Sequence, residues 1–351
     1  MRNIFLFLVT MLCTCFVSVN AGEQTSEKST FLYCFSHSGE HIGSGRELFY
    51  DLGNANFKIR YEENFLTFWV EEIKENQSNN DYWHVTFKAP EGQKLVPGIY
   101  KKAKRFKDES YAGFSFSGCG RACAANIGNF EIKELEIDDN GIIVALAINF
   151  TQHCGNIKDH PLFGAIRYNS SIPVEVSLSQ FFGTRRAPDS LLYYKIKKPD
   201  GQEAKFFKTS DDLEFSCSLY DEDNQALIIK IGKDDDLKKV KKGYYFYPSV
   251  FQLELFTSNE NGFIQGLHEV SPEKDSHNVF VSDNFRVLYD DLDYFKGGYK
   301  VIKIEKNKRG KIKELAINFK AYSREGSEME GVLRYNTNVL FNLINPFNLN
   351  K

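Results

Sequence analysis

The chain has 351 residues, of which 42% are hydrophobic and 26% charged, with a net charge of −3 at pH 7. That balance supplies apolar side chains for folded cores and excludes a dedicated nucleic-acid binder, which carries a strong positive field. An aromatic content of 15%, from 31 Phe, 18 Tyr and 2 Trp, favours strands, where flat rings pack across a pleated surface.

In chain order, the first segment reads as a secretory leader. Arg2 gives a short positive start, and residues 5–19 form an apolar run too short to cross a bilayer comfortably. Val19-Asn20-Ala21 suits a signal peptidase, which predicts a signal peptide over residues 1–21, cleavage after Ala21, and a secreted or periplasmic product. No later apolar run is long enough to span a membrane, so no transmembrane segment is expected after cleavage.

Beyond the leader the chain says nearly the same thing twice. Gly141-Ile142-Ile143-Val144-Ala145-Leu146-Ala147-Ile148-Asn149-Phe150 and Gly164-Ala165-Ile166-Arg167-Tyr168-Asn169 return as Gly310-Lys311-Ile312-Lys313-Glu314-Leu315-Ala316-Ile317-Asn318-Phe319 and Gly331-Val332-Leu333-Arg334-Tyr335-Asn336. Two units follow, over residues 31–173 and 191–338, with a linker at 174–190 and a tail at 339–351. Each unit is large enough for its own core. The linker carries Phe181 and Phe182, which are expected to dock on a neighbouring domain.

Strand signals dominate both units. Ile142, Val144, Leu146, Ile148 and Phe150 alternate with residues bound for the other face. Asp139-Asn140-Gly141 and Lys308-Arg309-Gly310 supply turn residues, with Gly141 and Gly310 able to take positive φ, so both segments read as hairpins. Further strands are expected at 57–61, 66–71, 84–88, 213–219, 226–231, 251–256 and 285–289, and no stretch keeps helical periodicity for three turns. The pattern predicts an all-β chain of two tandem antiparallel β-sandwich domains, with partly closed β-barrels as the alternative.

The first unit also carries an ordered set of motifs. Ser38-Gly39-Glu40-His41-Ile42-Gly43-Ser44-Gly45 opens it. Ala89-Pro90-Glu91-Gly92, Pro97-Gly98-Ile99-Tyr100, Gly120-Arg121-Ala122-Cys123, Gln152-His153-Cys154 and Gly164 to Ser170 follow. This set resembles a domain that recurs in exported bacterial proteins, with a PGDYIG-type opening, an APxGxxLxPGxY segment, a GRGC loop, a QHC step and an IRYNS close. His41 stands where the opening usually has Tyr, and the second unit lacks the cysteine-bearing motifs. The resemblance implies a secreted bacterial protein and carries over no catalytic residue.

Five cysteines lie beyond the leader, an odd number, and export permits disulfides. Cys123 and Cys154 sit at the cysteine-bearing motifs of the resembled domain, which implies a bridge between them. Closing that loop would stabilise the fold by about 3–4 kcal/mol. A second bridge from Cys34 to Cys119 would leave Cys217 as a free thiol.

Other candidate chemistry reads mostly as structure. The loop 113–128, with Arg121 and backbone N–H groups beside Asn126, could cradle an anion, although it matches no known phosphate loop. His153 is poorly placed to activate Cys154, since strand neighbours point to opposite faces. His153, Asp159 and His160 fit no common metal spacing, and His268-Glu269 lacks a second His, so neither metal nor cofactor is expected. Arg167 and Arg334, at the same place in both units, suggest structural ion pairs with a carboxylate on a neighbouring strand. The charged runs 233–239 and 290–293 read as solvated loops. The sequons at Asn76, Asn149 and Asn169 carry little weight in a bacterial chain. The reading that follows is a secreted, non-enzymatic module for a protein, glycan or surface. Alternatives are a hydrolase whose carboxylates converge only in the fold, or a host-directed effector.

Overall fold

The computed structural model describes residues 27–344, apart from 38, 63, 75–80, 107, 184–186, 220–225, 234–236, 238–249, 257–264, 269–278, 284–292, 324 and 343. The leader, Asn76, the runs 233–239 and 290–293 in large part, and the strand expected at 285–289 lie outside the described residues. The described residues are all-β except for one short helix.

The first unit contains β1 (Ser29–Ser36), β2 (Glu47–Asp51), β3 (Ala55–Glu62), β4 (Phe65–Glu72), β5 (Tyr82–Lys88), β6 (Gly98–Lys104), β7 (Gly113–Gly118), β8 (Asn126–Ile137), β9 (Ile143–Cys154) and β10 (Pro161–Ser170). They form a single sheet in the order β2-β1-β10-β9-β8-β6-β7-β5-β4-β3. Its two end strands, β2 and β3, are neighbours in sequence, joined by a turn in which the Asn54 N–H donates to the Asp51 carbonyl (3.1 Å). A sheet whose ends meet in so short a turn must curl, and it rolls into a nearly closed barrel. The two layers expected of a sandwich are thus two halves of one curled sheet.

Alternation decides which side chains fill it. In β4, Leu66, Phe68 and Val70 are buried inside, while Trp69 and Glu71 face outward. Near the tip of the β8–β9 hairpin the expected face is wrong. The register slips between Glu136 and Ile137, leaving Val144 as an extra residue in β9. Ile143 is therefore buried, and Ile142 and Val144 are exposed. Beyond the bulge Leu146, Ile148 and Phe150 point inward as expected.

The second unit contains β11 (Leu191–Lys197), β12 (Glu203–Thr209), β13 (Glu214–Leu219), β14 (Ala226–Gly232), β15 (Val250–Phe256), β16 (Gly266–His268), β17 (Val279–Asp283), β18 (Asp293–Lys306), β19 (Ile312–Ser323) and β20 (Glu328–Tyr335). Its order, β12-β11-β20-β19-β18-β17-β15-β14-β13 with β16 on β18, repeats that of the first sheet except that β17 pairs directly with β18, where β6 separates β7 from β8. Lys313 takes the bulge place of Val144.

Each unit has its own core, one around Phe68, Phe87, Phe114 and Phe150, the other around Tyr194, Phe251, Tyr299 and Phe319. A third cluster joins them. It gathers Tyr33, Phe163 and Ala165 from the first unit, Leu191, Tyr193 and Val332 from the second, and Val174, Val176, Leu178, Phe181 and Phe341 from the connecting segments. In the linker, α1 (Leu178–Phe182) starts at Ser177 with a capping box to Gln180 and stops at Gly183, in the left-handed conformation at φ 65°. Phe181 is fully buried between the units. Val176 and Phe341 exchange two backbone hydrogen bonds, so the start of the C-terminal segment seals the same joint.

Candidate functional site

The motifs of the first unit fold into one connected end. Glu40 is buried, and its carboxylate accepts the N–H groups of Ile42 (2.9 Å) and Gly43 (2.6 Å) and the Ser36 hydroxyl (2.9 Å). The Glu-His-Ile-Gly segment therefore wraps its own acid. Arg121 ties that loop to the cysteine loop, donating from Nη1 to the Ile42 carbonyl (3.1 Å) and the Ser44 hydroxyl (2.5 Å). Asn126 is buried, donating to the Phe114 carbonyl and to Gln152 Oε1. Both side chains thus help to hold the loop, Arg121 through Nη1.

Cys123 and Cys154 form a disulfide with Cα atoms 5.3 Å apart. The Cys34–Cys119 bridge is not formed, and Cys34, Cys119 and Cys217 are thiols. Cys34 is fixed in mid-strand opposite Leu48 and Gly164, whereas Cys119 sits on the turn after β7 with its Sγ 3.6 Å from the Tyr82 carbonyl. Burial pushes the Cys34 and Cys217 thiols well up, and no thiolate is favoured at either.

The Gln-His-Cys step supplies three structural ties. Gln152 Oε1 accepts the Phe116 N–H (2.9 Å), Cys154 carries the disulfide, and His153 reaches out to the linker. Both ring nitrogens of His153 meet carbonyl oxygens, Nδ1 at Asp159 (2.7 Å) and Nε2 at Phe182 (3.0 Å). That use of both nitrogens leaves His153 none for a metal or for Cys154.

Arg167 and Arg334 are fully buried, and their partners correct the expected ion pairs. Arg167 donates to the carbonyls of Ile148, Ile166, Ile172 and Pro173 and to Asn149 Oδ1. Arg334 donates to those of Ile317, Leu333, Val339 and Leu340 and to Asn318 Oδ1. The five bonds match one for one, and none goes to a carboxylate. A planar fork satisfies carbonyls on two strands and on the segment leaving the unit, which a point charge cannot do. Desolvation lowers the guanidinium of Arg167 to about 10 and that of Arg334 to about 9, so both stay charged at neutral pH. Gly164 and Gly331 belong to the same device, because a Cβ there would strike the Phe150 or Phe319 ring on the next strand.

The groups left for function gather between the units. A cleft of about 710 Å³ is lined by Phe35, Ser36, His37, Glu47 and His160 of the first unit and by Tyr193, Glu203, Lys205, Phe207, Lys208 and Asp212 of the second. Lys205 Nζ meets Glu47 Oε2 at 2.9 Å across the seam. His37 lies among four rings, with centroids 4.9 Å to Phe182, 5.3 Å to Phe207, 5.4 Å to Phe35 and 5.6 Å to Phe181. Its Nε2 is buried without a hydrogen-bond partner among the described residues. Burial first, then nearby His160, lowers this imidazole from 6.5 to about 4. Sequence reasoning missed the cleft because its two walls lie some 160 residues apart in the chain. The docking expected of Phe181 and Phe182 was the one pointer to it.

Among the described residues no helix is long and apolar enough to cross a membrane. No protein-family model, no curated protein and no solved structure matches the chain.

Proposed function

We propose that the chain is an exported, non-catalytic bacterial binding protein that takes a glycan or protein ligand into the cleft between its two β-units. The cleft itself carries this reading. It is concave, shared by both units, walled by aromatic rings, and rimmed by carboxylates and lysines of both signs, the composition of a ligand site. The disulfide agrees with an oxidising compartment.

The test is a glycan array and direct titration with the purified mature protein, repeated with Lys208→Glu and Glu203→Lys. A ligand whose affinity falls at least tenfold in both variants supports the reading. A ligand bound equally well by both sinks it. The hydrolase alternative draws on Glu47, Glu203 and Asp212 sharing one cleft. Against it, Glu47 is paired with Lys205 and Asp212 accepts from the Thr209 backbone and hydroxyl. Turnover in a hydrolase screen that disappears in Glu203→Gln would establish it instead.

A further inference from the structure

The two equivalent hairpins close the same turn with opposite charge. In the second unit, Asn307 Oδ1 accepts the N–H groups of Arg309 (2.8 Å) and Lys311 (3.1 Å), and Asn307 N–H donates to the Lys311 carbonyl (2.8 Å). Gly310 completes the turn at φ 75°. In the first unit Asp138 Oδ1 accepts from Asn140 (2.9 Å) and Ile142 (2.8 Å), Asp138 N–H donates to the Ile142 carbonyl (2.9 Å), and Gly141 stands at φ 80°. The backbone device is shared. What surrounds it is not.

The β18–β19 tip carries Lys306, Lys308, Arg309, Lys311 and Lys313 within eight residues, all exposed. The matching places in the β8–β9 tip are Ile137, Asp139, Asn140, Ile142 and Val144. The fold therefore closes this hairpin without a cation at any of these positions. Among the described residues, Lys306, Lys308, Arg309 and Lys311 make no ion pair, and only Lys313 approaches acids, Glu305 at 3.7 Å and Glu314 at 3.6 Å. Like charges this close repel one another, on a chain whose overall charge is −3.

We infer that the β18–β19 tip is a docking site for a polyanionic glycan bearing several sulfate or phosphate groups. Charge complementarity selects the occupant. The tip offers several exposed cations and no closed pocket, which suits repeated anions along a chain better than a single ion. A membrane fits less well, because Ile312 is buried and the tip presents no apolar side chain to enter a bilayer. This site stands apart from the cleft and does not depend on it.

The experiment uses the full mature chain and two probes, heparin for sulfate and a phosphomannan for phosphate, with neutral dextran as control. Binding to one or both probes at low salt, and none to dextran, is expected, and the stronger probe identifies the anion. The triple variant Lys308→Gln, Arg309→Gln, Lys311→Gln should lose at least tenfold in affinity, and its salt slope should fall by about 2–3. Its melting temperature should not move, since Asn307 and Gly310 are untouched. Binding by the triple variant within twofold of the parent would overturn the proposal. So would tighter binding of the parent to anionic vesicles or duplex DNA than to either glycan.

Discussion

At the residue scale, a guanidinium does work in each unit that the sequence assigned to a salt bridge. Arg167 and Arg334 hold four carbonyls each, two of them on the segment that leaves the sheet. Lysine keeps the charge and loses the fork, stranding buried carbonyls. Arg167→Lys is expected to destabilise the protein by about 2–4 kcal/mol, read from the denaturant midpoint. His37 makes a second residue-scale prediction. Its folded value of about 4 lies below the unfolded 6.5, so the unfolded chain binds more protons between those limits. Stability from the neutral ring is complete above pH 6.5 and drains away as pH falls toward 4, by about 3 kcal/mol in all. His160, His153 and Asp212 face the same ring, so the comparison must be internal. Melting curves of the parent should fall more steeply between pH 6.5 and 4 than those of His37→Phe. Parallel curves would reject the assignment.

At the element scale, the strands were legible in part, and β6 and β12 went unread although each has a wet face. The stretches 57–61, 66–71, 84–88, 226–231 and 251–256 all fall inside strands, because period two survives when solvent covers one side. The hairpins at Gly141 and Gly310 were equally plain, since only a few residues accept that backbone. Three things were illegible. The bulge at Val144 shifts the inward phase by one residue without changing composition. Arg167 finds its acceptors on the backbone, which carries no sequence signal. Cys34 and Cys119 share a unit, yet pairing needs a distance that spacing does not encode. The Cys123–Cys154 bridge, by contrast, ties the loop after β7 to the end of β9 across 31 residues. Replacing both cysteines by serine should cost about 3–4 kcal/mol, checked by urea unfolding with and without reductant. Loss of the difference under reductant is the expected signature.

At the scale of the molecule, two curled sheets are held by an apolar joint with Phe181 at its centre, touching Phe35, Phe163, Phe207 and Phe341. Phe181→Ala removes a fully buried ring from both sides at once and should cost about 3–5 kcal/mol. Calorimetry should then resolve two transitions where the parent shows one, because each unit keeps its own core. The cleft shares walls with this joint, so the same variant should weaken any cleft ligand and leave glycan binding at the distant hairpin intact.

Tyr33 and Tyr193 occupy corresponding places, as do Ala165 and Val332, and each pair meets its counterpart in the joint. Val174 and Phe341 likewise stand seven residues past their arginines. The halves thus greet each other with overlapping patches, much as subunits do in a homodimer, although Glu330 stands where the first unit has Phe163. Such a handshake saturates at two partners. A third copy appended to this chain would find the patch taken, so tandem arrays of this block should grow in pairs.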